Sequence, residues 1–257
     1  MTIKPFREEK FEDLLISVYQ TNEELGAAAA EEAAAVIQDA IHKKSVANVI
    51  IATGNSQLTF LTALKTMPIE WSKVNVFHMD EYIGLAPKHS ASFPLFIKRH
   101  LLDYVQPKAF FPVPGGTQNT ARDCKTYEEL LRAHPADLCA LGIGENGHLA
   151  FNDPPLADFN DPAWVKVVKL DEVSRQQQVG EGHFASLEDV PTHAITLTIP
   201  ALLAANRILA IVPETRKIDA VYRTLYGPIS EECPSSILRK TPHAHLFLDA
   251  NSAKRIQ

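Results

Sequence analysis

The stretch that decides the fold is Leu138-Cys-Ala-Leu-Gly-Ile-Gly-Glu-Asn-Gly-His-Leu-Ala-Phe-Asn-Asp-Pro-Pro155. It begins with an apolar run, 138–143, that has the length and composition of a buried strand. Glycines then interrupt the run, and they allow a tight turn and a close approach of the backbone to a ligand. In an open parallel sheet, ligands bind outside the carboxyl ends of the strands, so reactive side chains are expected on this turn.

One imidazole and one carboxylate follow the glycines, His148 and Asp153. A titratable pair beside a glycine turn suits proton transfer, because the charge of histidine changes near neutral pH. The alternative is a plain strand-to-loop turn that carries a histidine on its surface. The sequence therefore predicts a candidate site of acid–base chemistry at this turn.

The composition is that of an ordinary globular protein, with 46% hydrophobic and 22% charged residues. A chain of 257 residues is long enough for one α/β domain or two small ones. The formal charge of −6 argues against a general nucleic-acid binder, which usually presents a basic face. It does not argue against a local basic pocket for an anion.

The three cysteines, Cys124, Cys139 and Cys233, lie far apart and lack the spacing of metal ligands. A disulfide framework is therefore not predicted, and a reducing cytoplasm fits. Residues 1–10 lack the apolar segment of a signal peptide, and no apolar run approaches the roughly 20 residues of a membrane span. A cytoplasmic protein without membrane contact is expected.

Apolar runs of strand length alternate with helical segments along most of the chain, which implies crossover connections and a mainly parallel sheet. Residues 1–20 are expected to begin as a strand and then turn helical, and 171–182 is read only as a polar segment. Thr21-Asn-Glu-Glu24 is a capping box that opens an alanine-rich helix. Later strands are predicted over 46–52, 74–78, 110–113, 138–143, 165–170, 193–199, 207–212 and 244–249, and later helices over 58–66, 90–105, 120–133, 201–205 and 218–225.

A second candidate site follows the strand 46–52, where the sequence reads Thr53-Gly54-Asn55-Ser56 before a helix. A turn from strand to helix presents backbone N–H groups to an anion, and hydroxyl groups add further donors. The same residues also serve as plain helix caps. The residues alone leave a phosphate site and a cap as alternatives.

Two adjacent acids, Asp80 and Glu81, follow the strand 74–78. Carboxylates at the carboxyl end of a strand are candidates for a general base. The alternative is a solvated turn or a helix cap.

Three segments together resemble the glucosamine-6-phosphate deaminases, also called isomerases. They are Gly144-Glu-Asn-Gly-His-Leu-Ala-Phe-Asn-Asp-Pro154, Phe77-His-Met-Asp-Glu-Tyr-Ile-Gly-Leu85 and Ile51-Ala-Thr-Gly-Asn-Ser-Gln57. They follow the order and spacing of the family, and the resemblance covers most of the chain. The 6-phosphogluconolactonases look like a sister group that shares the Gly-x-Gly-x-x-Gly-His part, while the continuation 150–154 is closer to the deaminases.

The resemblance implies a single domain, 1–257, with a three-layer, modified doubly wound, mainly parallel sheet and helices on both faces. The implied reaction converts glucosamine 6-phosphate to fructose 6-phosphate and ammonia, without a metal or an organic cofactor. By matching motif, Asp80 becomes the base at C2 and His148 the acid–base group of ring opening. Asp153 becomes the carboxylate that orients His148 or handles the amine.

The implied partner is a small sugar phosphate, and a homo-oligomer stays open. In the resemblance, the residues that bind the phosphate are Thr53, Gly54, Asn55, Ser56 and Lys217. Further candidate substrate-binding residues are Glu81, Gly147 and Arg175. The loop 154–162, with three prolines, is either an ordinary surface loop or a lid.

Three departures from the family pattern indicate a divergent branch. Asn146 stands where the deaminases usually carry Asp, and Asp153 stands where they carry Glu. The family pattern leads to a second phosphate-binding Arg within 174–182. Gly180 stands at the matching position, and the nearest candidate is Arg175. Two rivals therefore remain: a 6-phosphogluconolactone hydrolase in which His148 activates water, and a sugar-phosphate-binding protein without catalysis.

Overall fold

The computed structural model describes residues 3–86, 88–116, 119–180 and 182–256, without the side chains of Val173 and Gln177. Strands and helices alternate along these residues, as the hydrophobic pattern predicts. The strands are β1 (Arg7–Phe11), β2 (Leu14–Tyr19), β3 (Ala47–Ile51), β4 (Val74–His78), β5 (Asp80–Tyr82), β6 (Ala109–Phe111), β7 (Leu138–Leu141), β8 (Val165–Lys169), β9 (His193–Leu197), β10 (Arg207–Val212) and β11 (Ala244–Asp249). The helices are α1 (Asn22–Lys44), α2 (Leu58–Leu64), α3 (Phe93–Ile97, continued by a π-helical turn over Lys98–Leu102), α4 (Thr120–Ala133), α5 (Glu172–Gly180), α6 (Ile199–Leu203) and α7 (Ile218–Tyr226).

Eight strands form the main sheet in the order β1-β2-β11-β10-β7-β3-β4-β6. The edge pair β1–β2 is antiparallel, and the other neighbours in this order are parallel. The remaining three strands form a small antiparallel sheet in the order β5-β9-β8. The mainly parallel, doubly wound sheet expected from the sequence is confirmed.

Helices cover both faces of the main sheet. On β3, Val49 and Ile51 pack into the apolar cluster that contains α1 and α2. The intervening Ile50 points to the opposite cluster, which contains residues of α4, α6 and α7. The three-layer arrangement is confirmed, and it follows from the alternation of side chains along a strand that is buried on both faces.

The first helix forms as its sequence predicts. Thr21 Oγ1 accepts the N–H of Glu24 at 3.1 Å, and Glu24 Oε2 accepts the N–H of Gln20 at 3.0 Å. Gly26 lets α1 approach α2 closely, since an added Cβ would lie 2.6 Å from the carbonyl carbon of Thr59. Although α1 has 23 residues, no helix in the described part of the chain is apolar enough over its length to cross a bilayer.

One element was predicted wrongly, and three other segments differ in detail from what the sequence indicated. Residues 14–19 form the inner strand β2 rather than a helix, because β11 pairs with them in parallel. Asp80 and Glu81, which the sequence placed just after the strand 74–78, lie in the short strand β5, because Thr196 and Ile195 of β9 pair with them. The polar segment after β8 is the helix α5, and the helix predicted over 90–105 begins only at Phe93.

The strand order places a crevice beside β3 and β7. Chain connections run from β3 outward to β4 on one side and from β7 outward to β10 on the other. At such a switch point, loops leave neighbouring strands in opposite directions and open a cleft at their carboxyl ends. The turns after β3 and β7 are the two turns singled out in the sequence, so the topology brings both candidate sites together.

Candidate active site

A cavity lies at the carboxyl ends of β3, β4, β7 and β10. Residues that follow all four strands line it, together with residues from the loop before α3, from α3 and from the segment around α5. The lining residues are Ala52, Thr53, Gly54, Asn55, Ser56, Gln57, Met79, Asp80, Ser90, Ala91, Phe93, Phe96, Gly142, Ile143, Gly144, His148, Ala150, Phe151, Gln178, His183, Arg216 and Lys217.

The turn after β3 is shaped by Gly54, whose φ of +101° is one that side chains rarely adopt. A short 3₁₀ turn, Asn55–Gln57, follows and leads into α2. Gln57 is fully buried, and its Nε2 donates to the carbonyl of Ile211 on β10 at 3.4 Å. The turn is therefore tied to β10, which lies two strands away from β3 in the sheet. Thr53 and Ser56 line the cavity beside it.

Asp80 lines the cavity from β5, and its side chain is buried. Burial, and secondly the charge of Glu81, raise the pKa of Asp80 to about 8. Both effects disfavour the ionised carboxylate. A carboxyl group with this pKa can accept and return a proton near neutral pH.

Glu81 does not line the cavity, although the resemblance assigned it to substrate binding. Its Oε2 accepts the hydroxyl of Ser92 at 2.9 Å and the N–H of Phe93 at 3.2 Å, so it caps α3. Burial nevertheless raises its pKa to about 7, against the lowering effect of these hydrogen bonds and of one from Tyr82. The structure therefore places Glu81 behind Asp80, where it holds the loop before α3.

His148 lines the cavity with its side chain 19% exposed, and its Nδ1 lies 2.9 Å from Oδ1 of Asp153. The imidazole ring lies directly over Gly144: a Cβ at this position would be 2.3 Å from Cε1 and 2.4 Å from each ring nitrogen. The backbone also holds the turn, because the N–H of Gly144 donates to the carbonyl of His148 at 2.9 Å. The glycine is thus required by the close approach of the ring.

Asp153 is fully buried behind His148. Its Oδ1 accepts the Nδ2 of Asn146 at 2.8 Å and the hydroxyl of Ser174 at 2.7 Å. Burial alone would raise the pKa of Asp153, but the contact with His148 and these two donors lower it to about 2. The lowered pKa keeps the Asp153 carboxyl ionised near neutral pH, with its Oδ1 beside the imidazole Nδ1.

Asn146 supports His148 through its backbone and through Asp153. Its Oδ1 accepts the N–H of His148 at 3.0 Å, while its amide donates to Asp153. Gly147 lies outside the cavity lining, although the resemblance assigned it to substrate binding. Its φ is +93°, and a Cβ there would lie 2.7 Å from Sγ of Cys233, so this glycine serves close packing.

The cationic residues that line the cavity are not the pair that the sequence predicted. Lys217 is buried and lines the cavity at the end of the 3₁₀ turn Thr215–Lys217, together with its neighbour Arg216. Arg175 lies elsewhere: its guanidinium donates to the carbonyls of Leu187 (2.5 Å) and Val190 (2.9 Å), and it does not line this cavity. The structure therefore does not bring Arg175 to this cavity, where the sequence expected a second phosphate-binding arginine.

Several lining residues carried no signal in the sequence. Ser90 and Phe96 come from the segment around α3, while Gln178 and His183 come from α5 and the turn after it. The strand-end rule cannot find them, because they reach the cavity from the small sheet's side rather than from the main sheet. Recognition of α5 as a helix would have been the one available signal.

The model of the family described as Glucosamine-6-phosphate isomerases/6-phosphogluconolactonase matches residues 20–247. The chain belongs to this family. The match spans both turns of the cavity, Asp80, His148 and Lys217, so every strand-end group described above lies within the family's part of the chain.

Two relatives and two solved structures show which members of the family the chain is similar to. The glucosamine-6-phosphate deaminase of Bacillus cereus is 35% identical over 234 residues, which are 91% of this chain and 86% of that protein. The deaminase of Bacillus thuringiensis has the same identity and coverage. A solved monomeric glucosamine-6-phosphate deaminase matches with a TM-score of 0.85 and 29% identity over 93% of this chain and 98% of that one. A 6-phosphogluconolactonase from Shewanella baltica (TM-score 0.76, 19% identity, 94% and 100% coverage) shares the fold.

In this family member, replacing Gly144 by Ala is expected to lower kcat about 100-fold, because the methyl group would displace the imidazole. A misplacement of about 1 Å is enough for a loss of this size. Gly116→Ala is the matched control, since a Cβ at Gly116 meets no atom of the described residues within 4 Å. Steady-state kinetics of both variants, with thermal unfolding as a check of the fold, test the prediction. A wild-type kcat for Gly144→Ala would contradict it.

The lowered pKa of Asp153 is expected to stabilise the fold above about pH 4. The ionised form is favoured in the folded chain, so this contribution is lost as the pH falls from about 4 towards 2. The shift corresponds to about 2 kcal/mol at most. Urea unfolding of the wild type and Asp153→Asn should therefore show a larger difference in unfolding free energy at pH 5.5 than at pH 3. An equal difference at both pH values would contradict the assignment.

Proposed function

We propose that this protein converts glucosamine 6-phosphate and water to fructose 6-phosphate and ammonia. The observation that carries the proposal is the position of Asp80 and His148, which line one cavity together with the turn after β3 and Lys217. A base with a raised pKa, an imidazole oriented by a carboxylate, and a cationic turn are the groups that this reaction requires. The deaminase names of relatives at 35% identity support the amine chemistry over lactone hydrolysis.

In the proposed reaction, the phosphate binds at the turn after β3. Thr53 and Ser56 offer hydroxyl donors, Gly54 leaves room for close approach, and Lys217 supplies charge from the turn after β10. Backbone N–H groups and a lysine are common partners of phosphate. Binding through the phosphate would orient C1 and C2 of the sugar toward the opposite part of the cavity.

Ring opening is the first chemical step, and His148 performs it. The imidazole takes the proton of the C1 hydroxyl and delivers a proton to the ring oxygen as the C1–O bond to that oxygen breaks. Asp153 holds the ring and stabilises its charged form during the step. The product is the open-chain aldehyde.

Asp80 then moves a proton from C2 to C1. It takes the C2 proton as that electron pair forms the C1–C2 double bond and the carbonyl electrons move to O1, which takes the proton that the ammonium group on C2 gives up. The enol-amine then takes the proton back from Asp80 at C1 while the nitrogen lone pair forms the C2–N double bond. The resulting ketimine reacts with one water, which leaves its oxygen on C2 as the ketone and releases ammonia. Burial favours this role, since the raised pKa of Asp80 brings its basicity closer to that of the carbon acid.

The decisive experiment measures ammonia release from glucosamine 6-phosphate while fructose 6-phosphate is followed in parallel. Equal amounts of both products are expected, without any added metal or cofactor. If the sugar phosphate stabilises the protein against heat but no ammonia appears, the deaminase function is refuted. In that case 6-phosphogluconolactone is the next substrate to test.

A further inference from the structure

Glu214 has a backbone conformation that is almost exclusive to glycine. Its φ of +82° and ψ of 148° lie in a region that side chains with a Cβ rarely enter. The residue follows β10 and precedes the 3₁₀ turn Thr215–Lys217. The turn after β3 has the same construction, but there a glycine, Gly54, holds the corresponding position with φ +101° and ψ 165°.

A strained residue persists only where its surroundings hold it, and such residues cluster at ligand sites. The N–H of Glu214 points to both carboxylate oxygens of Asp249, each at 3.2 Å. Its own Oε2 accepts the Nε of Arg216 at 2.7 Å. The side chain that makes this position unfavourable is therefore the one that holds Arg216.

Arg216 lines the cavity next to Lys217, and its side chain is 27% exposed. Its Nη1 lies 3.6 Å from Oε1 of Glu145, whose side chain is 44% exposed. The contact with Glu214 is short, whereas the contact with Glu145 is long and open to solvent. A guanidinium held at its Nε edge can exchange a weak carboxylate contact at Nη1 for a phosphate oxygen.

We propose that Arg216 is the second cation of the phosphate site and that Glu214 is the residue that positions it. The inference rests on the proposed function insofar as the ligand is a sugar phosphate. Arg216 then does what the sequence assigned to Arg175, which binds carbonyls outside the cavity. Phosphate displaces Glu145 from the guanidinium, while Glu214 keeps its hydrogen bond to Nε.

Calorimetric titration with fructose 6-phosphate and with inorganic phosphate tests the proposal without any turnover. Arg216→Ala is expected to weaken the binding of both ligands by about 10- to 100-fold, the value of one or two charge-assisted hydrogen bonds. Arg216→Lys should lose less, because it keeps the charge but not the planar fork. Arg122→Ala, an exposed residue of α4, is the matched control and should bind as the wild type does.

Variants at Glu214 and Glu145 separate positioning from charge. Glu214→Gln keeps an acceptor for Nε, so its loss of affinity should be smaller than that of Glu214→Ala. Glu145→Gln removes the competing carboxylate, so the affinity for phosphate should stay equal or rise. A merely structural role of Arg216 would lower the melting temperature and leave the binding constants of the folded protein unchanged.

A failure of the phosphate-binding role of Arg216 can be distinguished from a failure of the deaminase function. Unchanged phosphate binding in Arg216→Ala would overturn the inference even if ammonia is released normally. Weakened binding together with no ammonia from the wild type would uphold the inference and refute the deaminase. If Arg216→Ala does not fold, Arg216→Lys and Glu214→Ala decide, and wild-type affinity in both would overturn it. Loss of phosphate binding in Arg175→Ala alone would return the role to Arg175.

Discussion

Replacing Asp80 by Asn is expected to lower kcat for ammonia release about 100- to 10,000-fold, the range for the loss of a general base. Asparagine has the same shape but cannot accept the C2 proton. The affinity for fructose 6-phosphate should change by less than about threefold, because the residues proposed to bind the phosphate lie on other turns. A variant that still releases ammonia at more than about a tenth of the wild-type rate would contradict the role of Asp80.

The raised pKa of Asp80 also predicts a pH profile. The base works only when ionised, and its pKa is raised to about 8 by burial and by Glu81. The kcat/KM of the wild type should therefore rise with pH and level off above about 8. Glu81→Gln removes the neighbouring charge, so it should move the midpoint of the profile to lower pH. A profile that is flat between pH 6 and 9 would contradict a buried carboxyl base.

The same shift has a consequence for stability with the opposite sign to that of Asp153. The folded chain holds a proton on Asp80 that the unfolded chain releases above about pH 4, so Asp80 lowers stability as the pH rises towards 8. Asp80→Asn should therefore melt at a higher temperature than the wild type at pH 8, and the difference should shrink near pH 4. A stable but inactive variant would show that the loss of activity is chemical.

Replacing His148 by Gln is the change with the second largest expected effect. The kcat for ammonia release should fall at least about 100-fold, because no other side chain takes over proton transfer to the ring oxygen. The fold should be kept, since Asn146 binds the backbone of residue 148 rather than its ring. Kinetics with glucosamine 6-phosphate, beside the binding of fructose 6-phosphate, measure both parts of the prediction.

The two variants together separate the deaminase from a lactonase. In a deaminase, Asp80→Asn and His148→Gln each strongly lower ammonia release. Neither Asp80 nor His148 then supports efficient hydrolysis of 6-phosphogluconolactone. In a lactonase, His148 activates water, so His148→Gln abolishes hydrolysis of 6-phosphogluconolactone while Asp80→Asn leaves it intact. Lactone hydrolysis that survives Asp80→Asn, without ammonia release by the wild type, would refute the deaminase function.

Where local sequence carries enough information, prediction and structure agree closely. The strands Val74–His78, Arg207–Val212 and Ala244–Asp249 and the helix Thr120–Ala133 have the bounds that their apolar runs and caps predict. Asn119 caps α4 by accepting the N–H of Arg122 at 3.1 Å. Such elements are set by side chains within a few residues of one another, so no knowledge of distant contacts is needed.

Prediction from local sequence fails for strands whose pairing partner lies far along the chain. Leu14–Tyr19 has the composition of either element, and it is a strand because β11 pairs with it from more than 220 residues away. Asp80–Tyr82 is too short to be predicted as a strand from its sequence. It is a strand because it pairs with β9. Strand pairing over such separations depends on topology rather than on propensity.

By itself, the sequence determined the doubly wound class, the positions of the strand-end turns, and the presence of Asp80, His148 and Lys217 shortly after strand ends. Only the tertiary structure decided that Asp80 faces the cavity while Glu81 caps a helix, and that Arg216 rather than Arg175 lines it. Adjacent residues of a strand point to opposite faces, and which face is buried depends on what packs there. Burial and distant partners also set the pKa values of Asp80 and Asp153, because desolvation and hydrogen bonding exist only in the folded chain.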